Sequence, residues 1–168
     1  MKIAIVRQRY NPYGGAERFV ERALAALSAE GAEVTLITRS WDGASALGFR
    51  QITCDPAWSR LFGGRAARDR SFALAVQAEL AHGAYDITQT HERIPGCMIF
   101  RAGDGVHAAW LEHRGRGLGL LGCLAQHLSG YHRYVLAAER AMFSHPALKA
   151  VICNSQMVAN EVSRYHGV

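Results

Sequence analysis

The first 38 residues contain a pattern that few folds can accommodate. A short apolar run, IAIV, precedes the segment RYNPYGGAERFVERAL (9–24), and the β-branched run EVTLIT (33–38) completes the pattern. Apolar residues between 16 and 27 recur at i, i+3 and i+4, which predicts a helix over 15–30 that ends at Gly31. A strand, a helix and a second strand in about 37 residues predict a right-handed crossover between parallel strands.

The rest of the chain repeats this alternation. We predict further strands over 49–54, 85–90, 96–102 and 149–154, and further helices over 56–64 (a short helix and turn), 65–82, 106–114, 124–144 and 156–165, the last capped by Ser155. The segment 113–123 holds four glycines and is predicted to be mobile. Strands alternating with helices predict one α/β domain over residues 1–168, with a Rossmann-like, doubly wound, mostly parallel sheet and helices on both faces.

The charge and the cysteine content indicate which partners the protein suits and in which compartment it works. The net charge of +5 derives from arginine, since Lys2 and Lys149 are the only lysines, and it suits anionic partners such as phosphosugars or membrane surfaces. Nucleic acid is disfavoured, because no basic stripe with interleaved aromatics occurs. The four cysteines form no C-x-x-C pair, so we interpret them as reduced, mostly buried thiols of a cytoplasmic protein.

The Gly14–Gly15 pair lies where the first predicted strand leads into the first predicted helix. In open α/β sheets ligands bind at the carboxyl ends of strands, and backbone N–H groups at a helix start favour a phosphate. A tight connection without a ligand explains the same pair. The stretch is not G-x-G-x-x-G, which argues against a dinucleotide-binding domain, as does Arg39 in place of an acidic residue after the second strand.

Asp104 and His107 follow the predicted strand 96–102, in the sequence RAGDGVH. A carboxylate at a strand end can act as a base or bind a hydroxyl, but an Asp-Gly turn accounts for the same residues. His91 and His113 are the further ligands that a metal site would need. The histidines show neither H-E-x-x-H nor paired cysteine spacing, so we do not predict a metal.

Two further segments have both a functional and a structural interpretation. His91, Glu92 and Arg93 follow the strand 85–90 and either line the same crevice or are solvated loop charges. In the helix 130–143 we predict a buried stripe with Glu139 and Arg140 outside it; the stripe consists of Tyr131, Tyr134, Val135, Ala138, Ala141 and Met142. The basic, aromatic region 107–136 either lies on an anionic membrane or is an ordinary surface.

The opening and closing segments resemble retaining glycosyltransferases of the GT-B type, family 4. The first 40 residues match that family's first strand, Gly-Gly loop and long first helix, and AVICNSQMVANEVSRYHGV (150–168) matches the last strand and helix of its N-terminal domain. The resemblance is closest to the members that add glucose to the heptose of lipopolysaccharide core. Three motifs carry this closer resemblance. They are the aromatic-Pro-aromatic-Gly-Gly loop, the sequence SWDG (40–43), and E-R-x-x-F, which consists of Glu139, Arg140 and Phe143.

The resemblance implies roles for individual residues. Gly14 and Gly15 would approach the diphosphate and sugar of a nucleotide-sugar donor, expected to be UDP-glucose, and Arg18 would face the same cleft. Asp104 would be the catalytic base or hydroxyl-orienting group, with His107 beside it. No cofactor or metal is implied, because helix dipoles and basic side chains offset the charge of the leaving diphosphate.

The resemblance also implies an acceptor and a location. The N-terminal domain of such enzymes mainly holds the acceptor, so His91, Glu92 and Arg93 are predicted to bind a lipid-linked glycan, and 107–136 to touch the inner membrane. The family's donor-binding C-terminal domain has no counterpart in these 168 residues, so we expect an acceptor-side domain that is inactive alone. The alternatives are a non-catalytic acceptor-holding or membrane-docking module and a nucleotide-binding oxidoreductase domain.

Overall fold

A computed structural model describes residues 1–9, 15–41, 49–56 and 64–168. Within these ranges the strands are β1 (Lys2–Val6), β2 (Glu33–Thr38), β3 (Arg50–Thr53), β4 (Ile87–Thr90), β5 (Ile99–Ala102) and β6 (Ala150–Cys153). They form one sheet in the order β3-β2-β1-β4-β5-β6, and every neighbouring pair is parallel. This is the strand order of a doubly wound α/β fold.

Helices cover both faces of the sheet. In the same ranges they are α1 (Gly15–Ala29), α2 (Gly64–His82), α3 (His107–Gly115), α4 (Leu120–Leu128), α5 (Gly130–Phe143) and α6 (Gln156–His166). Successive residues of a strand point to opposite faces. Accordingly, Ile5 of β1 packs in one core cluster with Leu24 of α1, while Val6 packs in another with Phe72 of α2. The predicted fold class is therefore confirmed.

A third core cluster fixes the two C-terminal helices against β5 and β6. The rings of Phe100 in β5 and Phe143 in α5 meet edge to face, with their centroids 5.6 Å apart. Val158 and Val162, one turn apart on α6, are buried in the same cluster. This packing holds α5 and α6 beside the carboxyl end of β5, which is followed by the polar residues Asp104 and His107.

Most predicted boundaries agree with the structure to within three residues, because the local signals are strong. Helix α1 ends before Gly31, whose φ of +79° is a left-handed conformation that glycine adopts without strain. The Ser155 hydroxyl accepts a hydrogen bond from the backbone N–H of Val158 at 3.3 Å, as predicted for the cap of the last helix. The predicted short helix and turn over 56–64 falls almost entirely outside the described residues.

The single helix predicted over 124–144 was wrong, and the mobility predicted for 113–123 stays a prediction. Residues 120–123 already belong to α4, and the expected single helix is two helices separated at Ser129. Ser129 has an extended backbone (φ −62°, ψ 114°) and caps α5 through His132. A Cβ at Gly122 in α4 would lie 3.2 Å from the Leu118 side chain, so glycine at this position leaves room for Leu118.

The cysteine prediction was only partly correct. All four thiols are free. Cys97 is buried, and burial raises the pKa of its thiol to about 12. Cys54, Cys123 and Cys153 are half-buried instead of buried.

Candidate functional site

A cleft of about 840 Å³ opens at the carboxyl edge of the sheet, between α2, α3, α5 and α6. Most of its lining side chains are charged or aromatic: Arg65, Arg93, Asp104, His107, Trp110, His113, Arg114, Tyr131, His132 and Glu161. A cavity of about 250 Å³ shares Arg93, Asp104 and Tyr131 with it and reaches Gln8, just after β1. The depression therefore lies along the ends of β1, β4 and β5, where doubly wound sheets bind ligands.

Asp104 lies where the sequence predicts it, two residues beyond the end of β5. Its side chain is exposed and borders both cavities. Among the described residues its carboxylate has no hydrogen-bond or ion-pair partner within the protein. The carboxylate is therefore available to accept a hydrogen bond from a ligand hydroxyl, which is the chemistry expected of a base or an orienting group.

His107 is the first residue of α3 and forms one wall of the cleft together with Trp110. The two rings are stacked, with centroids 5.5 Å apart and planes inclined by 14°. On the other side, His107 Nε2 lies 3.1 Å from Nδ1 of His132, and the Tyr131 ring meets His107 edge-on. The result is an aromatic face with polar nitrogens at its rim, as in pockets that bind ligands with one apolar and one polar side.

The imidazoles of this wall are uncharged at neutral pH. Burial lowers the pKa of His107 to about 4; the charge of Arg93 lowers it further, and Glu139 partly offsets the shift. Burial and the charges of Arg114 and Arg65 also lower the pKa of His132. Each neutral imidazole has one N–H donor and one acceptor nitrogen, so the pair can share one hydrogen bond and offer the rest to a ligand.

Two glutamates hold the start of α3 in place. Glu139 of α5 accepts a hydrogen bond from the backbone N–H of His107 at 3.0 Å, and Glu161 of α6 accepts one from Val106 at 2.9 Å. Val106, the N-cap residue, supplies no side-chain cap of its own. Carboxylates at a helix N-terminus satisfy its free N–H groups and match the helix dipole. The position of His107 therefore depends on α5 and α6.

Arg93 and Glu139 form an ion pair that sequence reasoning did not predict. Arg93 Nε lies 2.8 Å from Glu139 Oε1, and Arg93 Nη2 donates to the carbonyl of Gly105 at 3.1 Å. The Glu139 side chain is only 3% exposed, so the prediction that it lies outside the buried stripe was wrong, and Ala141 is exposed instead of buried. The signal was present in the sequence, because 135, 139 and 142 fall on one helical face.

His91, Glu92 and Arg93 diverge after β4. His91 packs against Phe19 of α1, and burial, with Arg101 and Arg7, lowers its pKa to about 3. Glu92 turns toward the end of β1 and lines the smaller cavity, while Arg93 lines both cavities. His91 lines neither of the two, so only part of the predicted acceptor set faces the depression.

Only some of the predicted donor-binding residues are among those that the structure describes. Gly14 lies outside the described residues, as do Asp42 and Gly43 of the SWDG motif. Gly15 is the first residue of α1, and Arg18, in the next turn, is exposed. Their roles stay predictions.

Two features are absent from the described residues. In the described part of the chain, no three histidine, cysteine or acidic residues come together in a way that could hold a metal ion. None of the described helices combines the length and the apolar character that crossing a membrane requires.

Comparison with known proteins gives a consistent group of relatives. The sequence model of the family described as Glycosyltransferase Family 4 matches residues 13–168. The lipopolysaccharide glucosyltransferase WaaG of Escherichia coli (strain K12) is 26% identical over 166 residues, which represent 98% of this chain and 41% of WaaG. The chain thus spans about two fifths of the length of this curated relative.

A crystal structure extends the comparison to the fold. The structure of WaaG, described as a glycosyltransferase involved in lipopolysaccharide biosynthesis, superposes with a TM-score of 0.82 over 99% of this chain and 42% of that chain. The sequence identity in the superposition is 22%, so this likeness concerns the fold. It agrees with the six-stranded order seen among the described residues.

Proposed function

Because the chain belongs to glycosyltransferase family 4, we propose that it is the acceptor-side domain of an enzyme that transfers a hexose from a nucleotide sugar to a glycan. Its relative WaaG is named as a lipopolysaccharide glucosyltransferase, which supports glucose as the hexose and lipopolysaccharide as the acceptor. UDP-glucose as the donor and the core region as the site of transfer follow from the sequence resemblance. Transfer with retention follows from the sequence resemblance. The observation that carries the proposal is the cleft beyond β5, with a free carboxylate at one side and an aromatic wall at another.

The residues of the cleft have separate tasks in this proposal. The apolar face of an acceptor sugar ring packs on the stacked rings of Trp110 and His107. Asp104 accepts a hydrogen bond from the attacking hydroxyl, orients it and increases its nucleophilicity. Gly14 and Gly15 allow the donor's diphosphate to approach the backbone at the start of α1, where N–H groups stabilise negative charge.

The test of this role is sugar transfer by an Asp104→Asn variant of the natural full-length polypeptide, with UDP-glucose and a heptose-terminated core acceptor. The amide keeps the shape but is a poorer acceptor, so kcat should fall about 100-fold or more, as is typical for loss of a general base. The matched control is Glu30→Gln, which changes an exposed carboxylate near the amino edge of the sheet. Wild-type rates in Asp104→Asn, or equal losses in both variants, would contradict the assignment.

We also propose that the segment 107–136 docks on an anionic membrane surface, such as the inner leaflet that carries a lipid-linked acceptor. Helix α4 has no buried residue, and its exposed leucines are Leu120 (92%), Leu121 (83%), Leu124 (56%) and Leu128 (69%). Apolar side chains so exposed mark interaction surfaces. The exposed Arg114, Arg116 and Arg133 in the same segment supply the charge that anionic lipids attract.

Vesicle co-sedimentation tests the membrane proposal. With vesicles that contain anionic lipid at low salt, a Leu121→Asp, Leu124→Asp variant should lose most of the bound fraction, because it places charge where acyl chains would contact α4. The control is Leu74→Asp on α2, where the leucine is 53% exposed on another surface. Binding that is absent in the wild type, or equally reduced by Leu74→Asp, would contradict docking through α4.

A further inference from the structure

Two arginines line the cleft, and among the described residues neither guanidinium has a charged partner. The guanidinium carbon of Arg65, near the start of α2, lies 4.9 Å from the ring centroid of Tyr131. That of Arg114, near the end of α3, lies 5.1 Å from the ring centroid of Trp110. In the part of the chain that the structure describes, neither side chain makes a hydrogen bond or an ion pair. A guanidinium that stacks on an aromatic face keeps its planar N–H edge for another acceptor.

Most carboxylates of this region cannot neutralise the two arginines. Glu139 is engaged by Arg93 and by the backbone of α3, and Glu161 is engaged by the backbone N–H of Val106. The charge of Arg93 is offset by Glu139 at 2.8 Å. Asp104 also lines the cleft, but among the described residues it makes no ion pair with either arginine. The side of the cleft formed by Arg65 and Arg114 therefore keeps a positive charge that an anionic ligand would offset.

The pair His107 and His132 lies between the two stacked arginines. Its nitrogens are 3.1 Å apart, and each imidazole packs against Trp110 and Tyr131, the rings that carry the arginines. Besides burial, the charges of Arg114 and Arg65 are what lower the pKa of His132, so both guanidinium groups act on this imidazole. Basic groups from α2, α3 and α5 thus converge on one part of the cleft.

We propose that Arg65, Arg114, His107 and His132 bind an oxyanion substituent, a phosphate or a carboxylate, carried by the acceptor sugar. The proposal rests on the proposed function, since it assigns a chemical class to the acceptor of the same cleft. Two planar guanidinium groups on different helices suit an oxyanion, which can accept hydrogen bonds from both. The aromatic face of Trp110 lies next to them and holds the sugar ring.

Calorimetric titration of the protein with three monosaccharides tests this specificity. A hexose 6-phosphate and a hexuronic acid are compared with the neutral hexose, and at least one anionic sugar should bind about tenfold tighter or more, as expected for charge-assisted hydrogen bonds. The anionic sugar that shows the gain identifies the substituent as phosphate or carboxylate. Equal affinities for all three sugars would overturn the proposal.

Single-residue variants locate the site. Arg65→Gln and Arg114→Gln should each lower the ratio of anionic-sugar to neutral-sugar affinity by about tenfold, since each deletes one guanidinium partner. The control is Arg133→Gln, because Arg133 is an exposed arginine that neighbours His132 in sequence but does not line the cleft. A loss in Arg133→Gln as large as in Arg65→Gln would mean nonspecific charge attraction and would overturn the assignment.

The pH dependence tests the part assigned to the imidazoles. A bound anion favours the protonated imidazole, so affinity for the hexuronic acid, which stays ionised, should rise as pH falls from 7.5 to 5.5. The charged groups that face the pair are Arg93 and Glu139 at His107 and Arg65 and Arg114 at His132. An affinity that does not change over this range would contradict binding of the anion by a protonated imidazole.

The two proposals fail in different ways. Binding is measured without turnover, so loss of the anionic preference with intact hexosyl transfer would overturn this inference alone. An anionic preference that depends on Arg65 and Arg114, together with no hexosyl transfer by the full-length polypeptide, would overturn the proposed function alone.

Discussion

At the scale of single residues, Glu139 connects three parts of the site. Its carboxylate pairs with Arg93 from the loop after β4, accepts from the first N–H of α3, and lies 3.8 Å from His166 of α6. A charge that is 97% buried is tolerated in a protein only when such partners replace water. The alignment of Arg93 and His107 therefore depends on this one carboxylate.

We predict that Glu139→Gln lowers the free energy of unfolding by about 2–3 kcal/mol, since the amide leaves Arg93 without its counter-charge and weakens the bond to His107. Arg93 is 27% exposed and can be partly solvated, so the loss should stay below that of a fully buried pair. Urea unfolding measures it. Glu112→Gln is the control, because its 3.9 Å contact with Arg164 is exposed and should contribute under about 1 kcal/mol. Equal losses in the two variants would contradict the role of Glu139.

Individual site residues were predictable where a local rule applied. Asp104 and His107 follow a strand that alternation identifies, so their place at the carboxyl edge follows from the sequence. The partners of Glu139 come from residues 93 and 107, far away in the chain, and no local pattern encodes such pairings. Glu139 was therefore predicted to lie outside the buried stripe, although its spacing from Val135 and Met142 places it on the buried face.

At the scale of elements, α3 depends on its neighbours. Glu161 of α6 approaches the start of α3 so closely that a Cβ at Gly105 would lie 2.5 Å from its Oε2 atom. The same Oε2 accepts the hydrogen bond from Val106. A side chain at 105 would therefore have to displace the carboxylate that caps α3.

We predict that Gly105→Ala destabilises the protein by about 1–2 kcal/mol, because the added methyl displaces Glu161 and leaves the Val106 N–H without its partner. Gly130→Ala is the matched control: nothing lies within 4 Å of a Cβ there, and alanine suits the first turn of α5. Thermal unfolding of both variants checks the difference. If Gly105→Ala unfolds at the same temperature as Gly130→Ala, the packing of Glu161 against α3 is not as described.

The region 113–144 shows why some elements escaped prediction. Helix α4 carries leucines with no buried face, so the usual rule that apolar periodicity follows the core did not apply. Its one glycine, Gly122, leaves room for the Leu118 side chain, which a Cβ there would approach to 3.2 Å. At the break, the Ser129 hydroxyl accepts a hydrogen bond from the His132 N–H at 3.5 Å. A bond this long is a weak signal, so the sequence did not indicate that the helix is interrupted there.

At the scale of the whole molecule, the sheet order determines where ligands bind. The order reverses between β1 and β4, so their loops diverge to opposite faces and leave a crevice at the carboxyl edge. Repeated strand-helix alternation was sufficient to predict a doubly wound, mostly parallel sheet, but the strand order was not predicted. The convergence of α2, α3 and α5 around one cleft was not predictable, because it depends on how the helices pack across the sheet.

The central claim is that the cleft beyond β5 holds the acceptor. Amide chemical-shift mapping by NMR during titration with a heptose-containing core oligosaccharide tests it most directly. The account predicts the largest shifts at residues 103–110 and at Tyr131 and His132, which surround the cleft. Largest shifts around Glu33, Arg50 and Tyr85, which line a cavity at the amino edge of the sheet, would contradict it.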